Sequence, residues 1–132
     1  MDITPISLGV PRQILESLPD DEGAAALDMQ RAVEGMESRL NRAIENADDD
    51  AEAVSIAVDA IEYMENQIET YDEFVPELRA WGQSPIYAIA WRNLHADLVM
   101  QLHEIEWLSE SIDTERNYRL VEDGIRFGKR DT

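Results

Sequence analysis

Two consecutive stretches of this chain carry apolar residues spaced alternately three and four apart, and that pattern constrains the fold more than any other feature. The first series is Ala26, Met29, Val33, Met36, Leu40, Ala43 and Ala47. The second is Val54, Ala57, Ile61, Met64, Ile68, Tyr71, Val75 and Leu78. Such spacing puts one apolar stripe on each helix, and a stripe of this kind is buried by a second helix lying alongside. The link Ala47-Asp48-Asp49-Asp50 is short, so the two helices are expected to return antiparallel. Its aspartates suit the N-cap and the positive dipole end of the second helix. Leu40 and Ile61 should face each other across the seam, with Ala47 and Val54 near the turn. Gly35 weakens the first helix by about 1 kcal/mol relative to alanine. Pro76 is expected to kink or break the second near Val75.

The run Trp81-Gly82-Gln83-Ser84-Pro85 is a boundary. Gly82 suits a left-handed helix stop, Ser84 an N-cap and Pro85 the first helical position. A third long helix is predicted from there to about Ser111. Its apolar residues, including Ile89, Trp91, Leu94, Leu98, Leu102 and Ile105, cover much more than one stripe, which predicts burial on several sides. Asp113 or Thr114 would cap a shorter last helix reaching about Phe127. Before the bundle, Pro5, Gly9, Pro11 and Pro19 interrupt the chain. Only Pro11 to Leu18 fits two helical turns there, with Pro11 at the first position. The predicted fold is therefore all-α. An extended arm occupies residues 1–19, an antiparallel bundle of three long helices and one shorter helix residues 20–127, and a basic tail residues 128–132. No strand alternation of useful length appears.

Charge bounds the setting. The chain holds 29 acidic and 11 basic residues, a formal net charge of −18, and Lys129 is its one lysine. Self-repulsion of that size opposes compaction in dilute buffer and is relieved near molar salt, where the Debye length falls to about 3 Å. The acid-rich, lysine-poor composition is similar to that of proteins from salt-accumulating haloarchaea and their viruses. That resemblance implies a virion or the cytoplasm of a halophilic archaeal host. Residues 1–10 lack the basic lead and apolar core of a signal peptide, so secretion by that route is not expected. No stretch approaches the roughly 18 apolar residues of a membrane span. With 132 residues and 44% hydrophobic content, one domain with a sizeable core is expected.

Chemistry is sparsely encoded. The absence of cysteine excludes disulfides, thiolate catalysis and cysteine metal sites. His95 and His103 stand eight apart on one helix, where paired helical ligands stand four apart. Neither the Glu-x-x-His of di-iron bundles nor a phosphate loop or nucleophile elbow is present. Arg92 and His95 are too close in sequence to match the Arg–His pair of HEPN-type helical ribonucleases. Asp48, Asp50 and Glu52 resemble the opening of a calcium loop, but its sixth-position glycine and twelfth-position glutamate are missing. These residues read as helix edges and caps. Neither an enzyme nor a cofactor nor a metal is expected.

The acids between Ala43 and Leu78 have no base among them, whereas Arg116, Arg119, Arg126, Lys129 and Arg130 gather near the end. Opposite potentials on one molecule favour contacts between copies or with another acidic subunit. The expected function is thus a non-enzymatic structural or assembly subunit of a halophilic system. It would act through other protein subunits, as a homo-oligomer or in a larger assembly. Direct nucleic-acid binding is not expected without a basic patch, nor is a membrane partner. Ile3, Ile6, Leu8 and Ile14 of the arm, Trp91 and Trp107, and Arg126, Lys129 and Arg130 are the candidate interface residues. In general plan the chain resembles the head–tail connector and adaptor proteins of tailed viruses. The alternative is a cytoplasmic helical regulator or antitoxin-like protein of a haloarchaeon, including a DNA mimic filling a basic groove.

Overall fold

A computed structural model describes residues 2–20 and 23–109, and over these the protein is all-α. Five helices follow in order: α1 (Arg12–Glu16), α2 (Ala24–Glu45), α3 (Asp50–Ala80), α4 (Ile86–His103) and α5 (Glu106–Ser109). The predicted final helix and the basic tail lie outside the described residues.

The α2–α3 hairpin follows its apolar series. Ala26, Met29, Val33 and Leu40 of α2 are buried, as are Ala57, Ile61, Met64 and Ile68 of α3. Leu40 and Ile61 share one core cluster. At the turn, the Asp49 carboxylate accepts a hydrogen bond from the Glu52 amide (2.8 Å), and Glu52 reaches back to accept from the Asp48 amide (2.9 Å). This reciprocal arrangement satisfies donors that a helix start leaves over.

Of the two outcomes expected at Pro76, a kink or a break, the break does not occur; the helix runs on to Ala80. The proline sits on the exposed side, where water can serve the Asp72 carbonyl that its missing N–H leaves over. The stop comes at Gly82 instead, with φ +74°. The Gly82 amide bonds to the Arg79 carbonyl (3.0 Å) and the Gln83 amide to the Leu78 carbonyl (2.8 Å), closing the helix in a Schellman motif. Ser84 accepts a long bond from the Ile86 amide (3.4 Å), and α4 begins one residue later than its sequence suggested.

α4 is the central element, with eleven of its eighteen residues buried, including Ile89, Leu94, Leu98, Val99 and Leu102. It stops at His103 rather than near Ser111. Glu104 and Ile105 form a break, after which α5 buries Trp107 and Leu108. The Trp107 indole N–H donates to the Thr4 carbonyl at 3.2 Å. One buried ion pair joins α3 to α4: the fully buried Arg92 donates from Nε to Asp72 at 2.9 Å, and its Nη1 reaches Asn93 at 3.2 Å.

The N-terminal segment corrects the sequence reading most sharply. Ile6, Ile14 and Leu18 are buried in the same cluster as α2 and α4, with Ile3, Leu8 and Val10 packed against it. Side-chain amides clamp its backbone from two helices. Asn41 of α2 accepts from the Ile6 N–H (2.7 Å) and donates to the Ile6 carbonyl (2.9 Å). Gln101 of α4 does the same at Gly9, at 3.0 and 2.8 Å. Glu37 accepts from the Leu8 amide at 2.8 Å. The prolines keep this stretch from forming a long helix, and the two amides supply the partners that a helix would have provided.

Candidate functional site

With its own arm on one flank, α2 leaves its other flank open. At about 3.6 residues per turn, Glu37 and Asn41 point to one side of the helix, and Ala32, Gly35, Met36 and Arg39 to the other. On that second side a cleft of about 650 Å³ opens between α2, α3 and α4. Its α2 wall is Arg31, Ala32, Gly35, Met36, Arg39 and Leu40; its α3 wall is Ala60, Tyr63, Met64, Gln67 and Tyr71; Trp91 and His95 come from α4. Small residues explain the space: Ala32 and Gly35 on one wall and Ala60 on the other leave room where larger side chains would fill the groove. Methionine and aromatic rings supply a deformable apolar lining.

The electrostatics of this cleft differ from those of the whole chain. Among its thirteen lining residues there is no carboxylate, and two are arginines. Arg12 pairs with Glu16 and Arg92 with Asp72, whereas neither Arg31 nor Arg39 takes part in an ion pair among the described residues. Arg39 folds back over Gly35, its Nη1 lying 3.2 Å from where a β-carbon would stand. By contrast, a second depression at the α2–α3 turn is lined by Glu45, Asp48, Asp49 and Asp50 along with Ile3, Thr4 and Pro5.

His95 lies between the Tyr71 and Trp91 rings, at centroid separations of 5.8 and 6.4 Å. Its Nδ1 is 2.7 Å from the Trp91 carbonyl, which can only accept, so Nδ1 carries the proton. The ring's remaining nitrogen, Nε2, is then an acceptor. Burial lowers the His95 pKa, partly offset by the bond to Trp91, which keeps the imidazole neutral at pH 7. Burial also raises the Tyr71 phenol, helped by nearby Tyr63. Asp72 is raised by burial although Arg92 pulls it down.

The residues singled out from sequence fall in different places. Ile6, Ile14 and Trp107 are buried in the chain's own core. Their side chains are therefore occupied within the subunit, which corrects their reading as contacts to a neighbour. Ile3 and Leu8 are half-buried against that core. Trp91 is half-buried and lines the cleft. Arg126, Lys129 and Arg130 lie outside the described residues. Sequence reasoning missed Arg31, Arg39, Met36 and Tyr63 as a group. The available signal was two arginines flanking Gly35 on the side of α2 that turns away from the heptad stripe.

A separate apolar surface lies at the α3–α4 tip. Trp81 is 66% exposed, Tyr87 49% and Phe74 38%, and Phe74 meets Trp81 edge-on with centroids 6.5 Å apart. Among the described residues no group of three or more His, Asp or Glu could hold a metal ion. No described helix is long and apolar enough to cross a membrane.

No curated protein and no solved structure matches the chain. One family model, described as a family of unknown function (DUF7971), matches residues 1–129, and the chain belongs to that family.

Proposed function

We propose that this protein is a non-enzymatic assembly subunit that works by contact with other protein subunits, including further copies of itself. The observation that carries this reading is the exposed aromatic tip formed by Phe74, Trp81 and Tyr87. Large aromatic side chains cost little entropy to immobilise and are enriched at the centres of protein interfaces. A chain that buries Trp107 and half-buries Trp91, yet leaves Trp81 two-thirds open, has an apolar surface that a partner would cover. The strong acid excess supports a halophilic setting, such as the virion or cytoplasm of a salt-accumulating archaeon, with a connector-type virion component as the most specific form.

Light scattering over a concentration series in molar salt tests the reading. The intact protein should show a mass above the monomer, and F74S/W81S should lower it while circular dichroism stays unchanged. An intact protein that remains monomeric across all salts and concentrations, with no subunit recruited, would reject the proposal in favour of a cytoplasmic regulator. The halophilic part is tested separately by desalting: helicity should fade in dilute buffer, and an unchanged melting temperature at low salt would refute it.

A further inference from the structure

We propose that the cleft between α2, α3 and α4 binds a small, flat, apolar anion, an aromatic carboxylate in the simplest case. Three independent features of the same space support this. The first is size: about 650 Å³ falls within the range of small-molecule sites and exceeds what a packing defect leaves. The second is the lining. Met36 of α2, Met64 and Tyr71 of α3 and Trp91 of α4 all line the cleft, an apolar surface suited to a flat ring. The third is charge. This chain has 29 acids, yet this cleft has none in its lining and is edged by Arg31 and Arg39, neither of them ion-paired among the described residues.

Cationic forks at the edge of an apolar slot are complementary to an anionic group on an apolar body. His95 adds direction. With Nδ1–H committed to the Trp91 carbonyl, the ring has Nε2 to offer as an acceptor, so a ligand bearing a hydroxyl or N–H is favoured over one without. This site is distinct from the aromatic tip, and its occupancy does not depend on assembly. No bond is made or broken in it; the site binds and releases.

Two fluorescent probes with closely similar bodies separate the contributions: 8-anilinonaphthalene-1-sulfonate, which is anionic, and N-phenyl-1-naphthylamine, which is neutral. They are titrated into the full chain at the lowest salt that retains full helicity. Both should bind saturably at one site per chain. R31Q/R39Q, altering two exposed side chains, should weaken the anionic probe about three- to tenfold while the neutral probe changes less than about twofold. Filling the slot with A60W should abolish both, and A32W does the same from the other wall should the first variant lose helicity. Absence of saturable binding by the folded protein, whether through occupation by its own chain or by a second copy, overturns the proposal. So does an anionic probe indifferent to R31Q/R39Q, or binding that survives A60W and A32W.

Discussion

The two flanks of α2 show how one helix can be closed by its own chain on one side and left open on the other. On the arm side, Asn41 and Glu37 hold the backbone of Ile6 and Leu8, and Ile6 and Ile14 are driven fully into the core. On the cleft side, Ala32, Gly35 and Met36 face space, with Arg31 and Arg39 at its edge. The arm side gains apolar burial and matched backbone bonds, so its residues carry stability. The cleft side has little to lose, so its residues are free to carry recognition. Function in this protein is therefore best sought where the packing is incomplete.

Truncating one residue on each flank should separate the two most clearly. Ile14→Ala should cost about 2–5 kcal/mol in denaturant unfolding, as expected for a fully buried isoleucine. Met36→Ala, on the open flank, should cost about 1 kcal/mol or less, because its surroundings already contain space. Equal costs would erase the distinction between the flanks. Asn41→Ala should come next, at about 1–3 kcal/mol, since it strips both partners from the Ile6 peptide groups. Gly35→Ala should go the other way, stabilising by up to about 1 kcal/mol through helix propensity. Its new methyl would press on the end of the flexible Arg39 side chain, which can move aside. A destabilised Gly35→Ala variant would mean that Arg39 is held more rigidly than its exposure suggests.

The smallest effect is a pH slope from the cleft floor. The folded-state pKa of His95 is lowered by burial. Above about pH 6.5 the imidazole is neutral in both states and contributes no slope. As pH falls below that value, the unfolded chain takes up the proton first, so stability declines until the folded-state pKa is reached. His95→Gln should remove that part of the decline in melting temperature. Identical slopes in the two proteins would show that His95 titrates as a solvated histidine.

Much of the helical frame was legible because heptad spacing, aspartate capping and Gly82 each carry a local physical rule. Leu40 and Ile61 share a core as the stripes require, and the Schellman stop falls at Gly82. Pro76 does not break the helix, because the cost of a proline depends on whether water reaches the carbonyl it leaves over, a tertiary fact. The arm was misjudged for a similar reason. Its prolines rule out a long helix but do not rule out burial, and Ile6, Leu8 and Val10 alternate as an extended segment against a core would. What sequence could not supply were the amide clamps from Asn41 and Gln101, which lie 35 and 92 residues from their partners. The cleft was hidden for the opposite reason: it comes from Ala32, Gly35 and Ala60, small residues off the heptad series that carry no apolar signal of their own.

The contrast between the flanks depends on the N-terminal segment belonging to the fold. Native-state amide hydrogen exchange of the full chain tests it directly at Ile6 and Leu8, whose N–H groups donate to Asn41 and Glu37. Protection at these two amides within about tenfold of that in the centre of α4 is the result expected if the segment opens only with the core. Exchange at the rate of an unstructured peptide, while α4 stays protected, would contradict it.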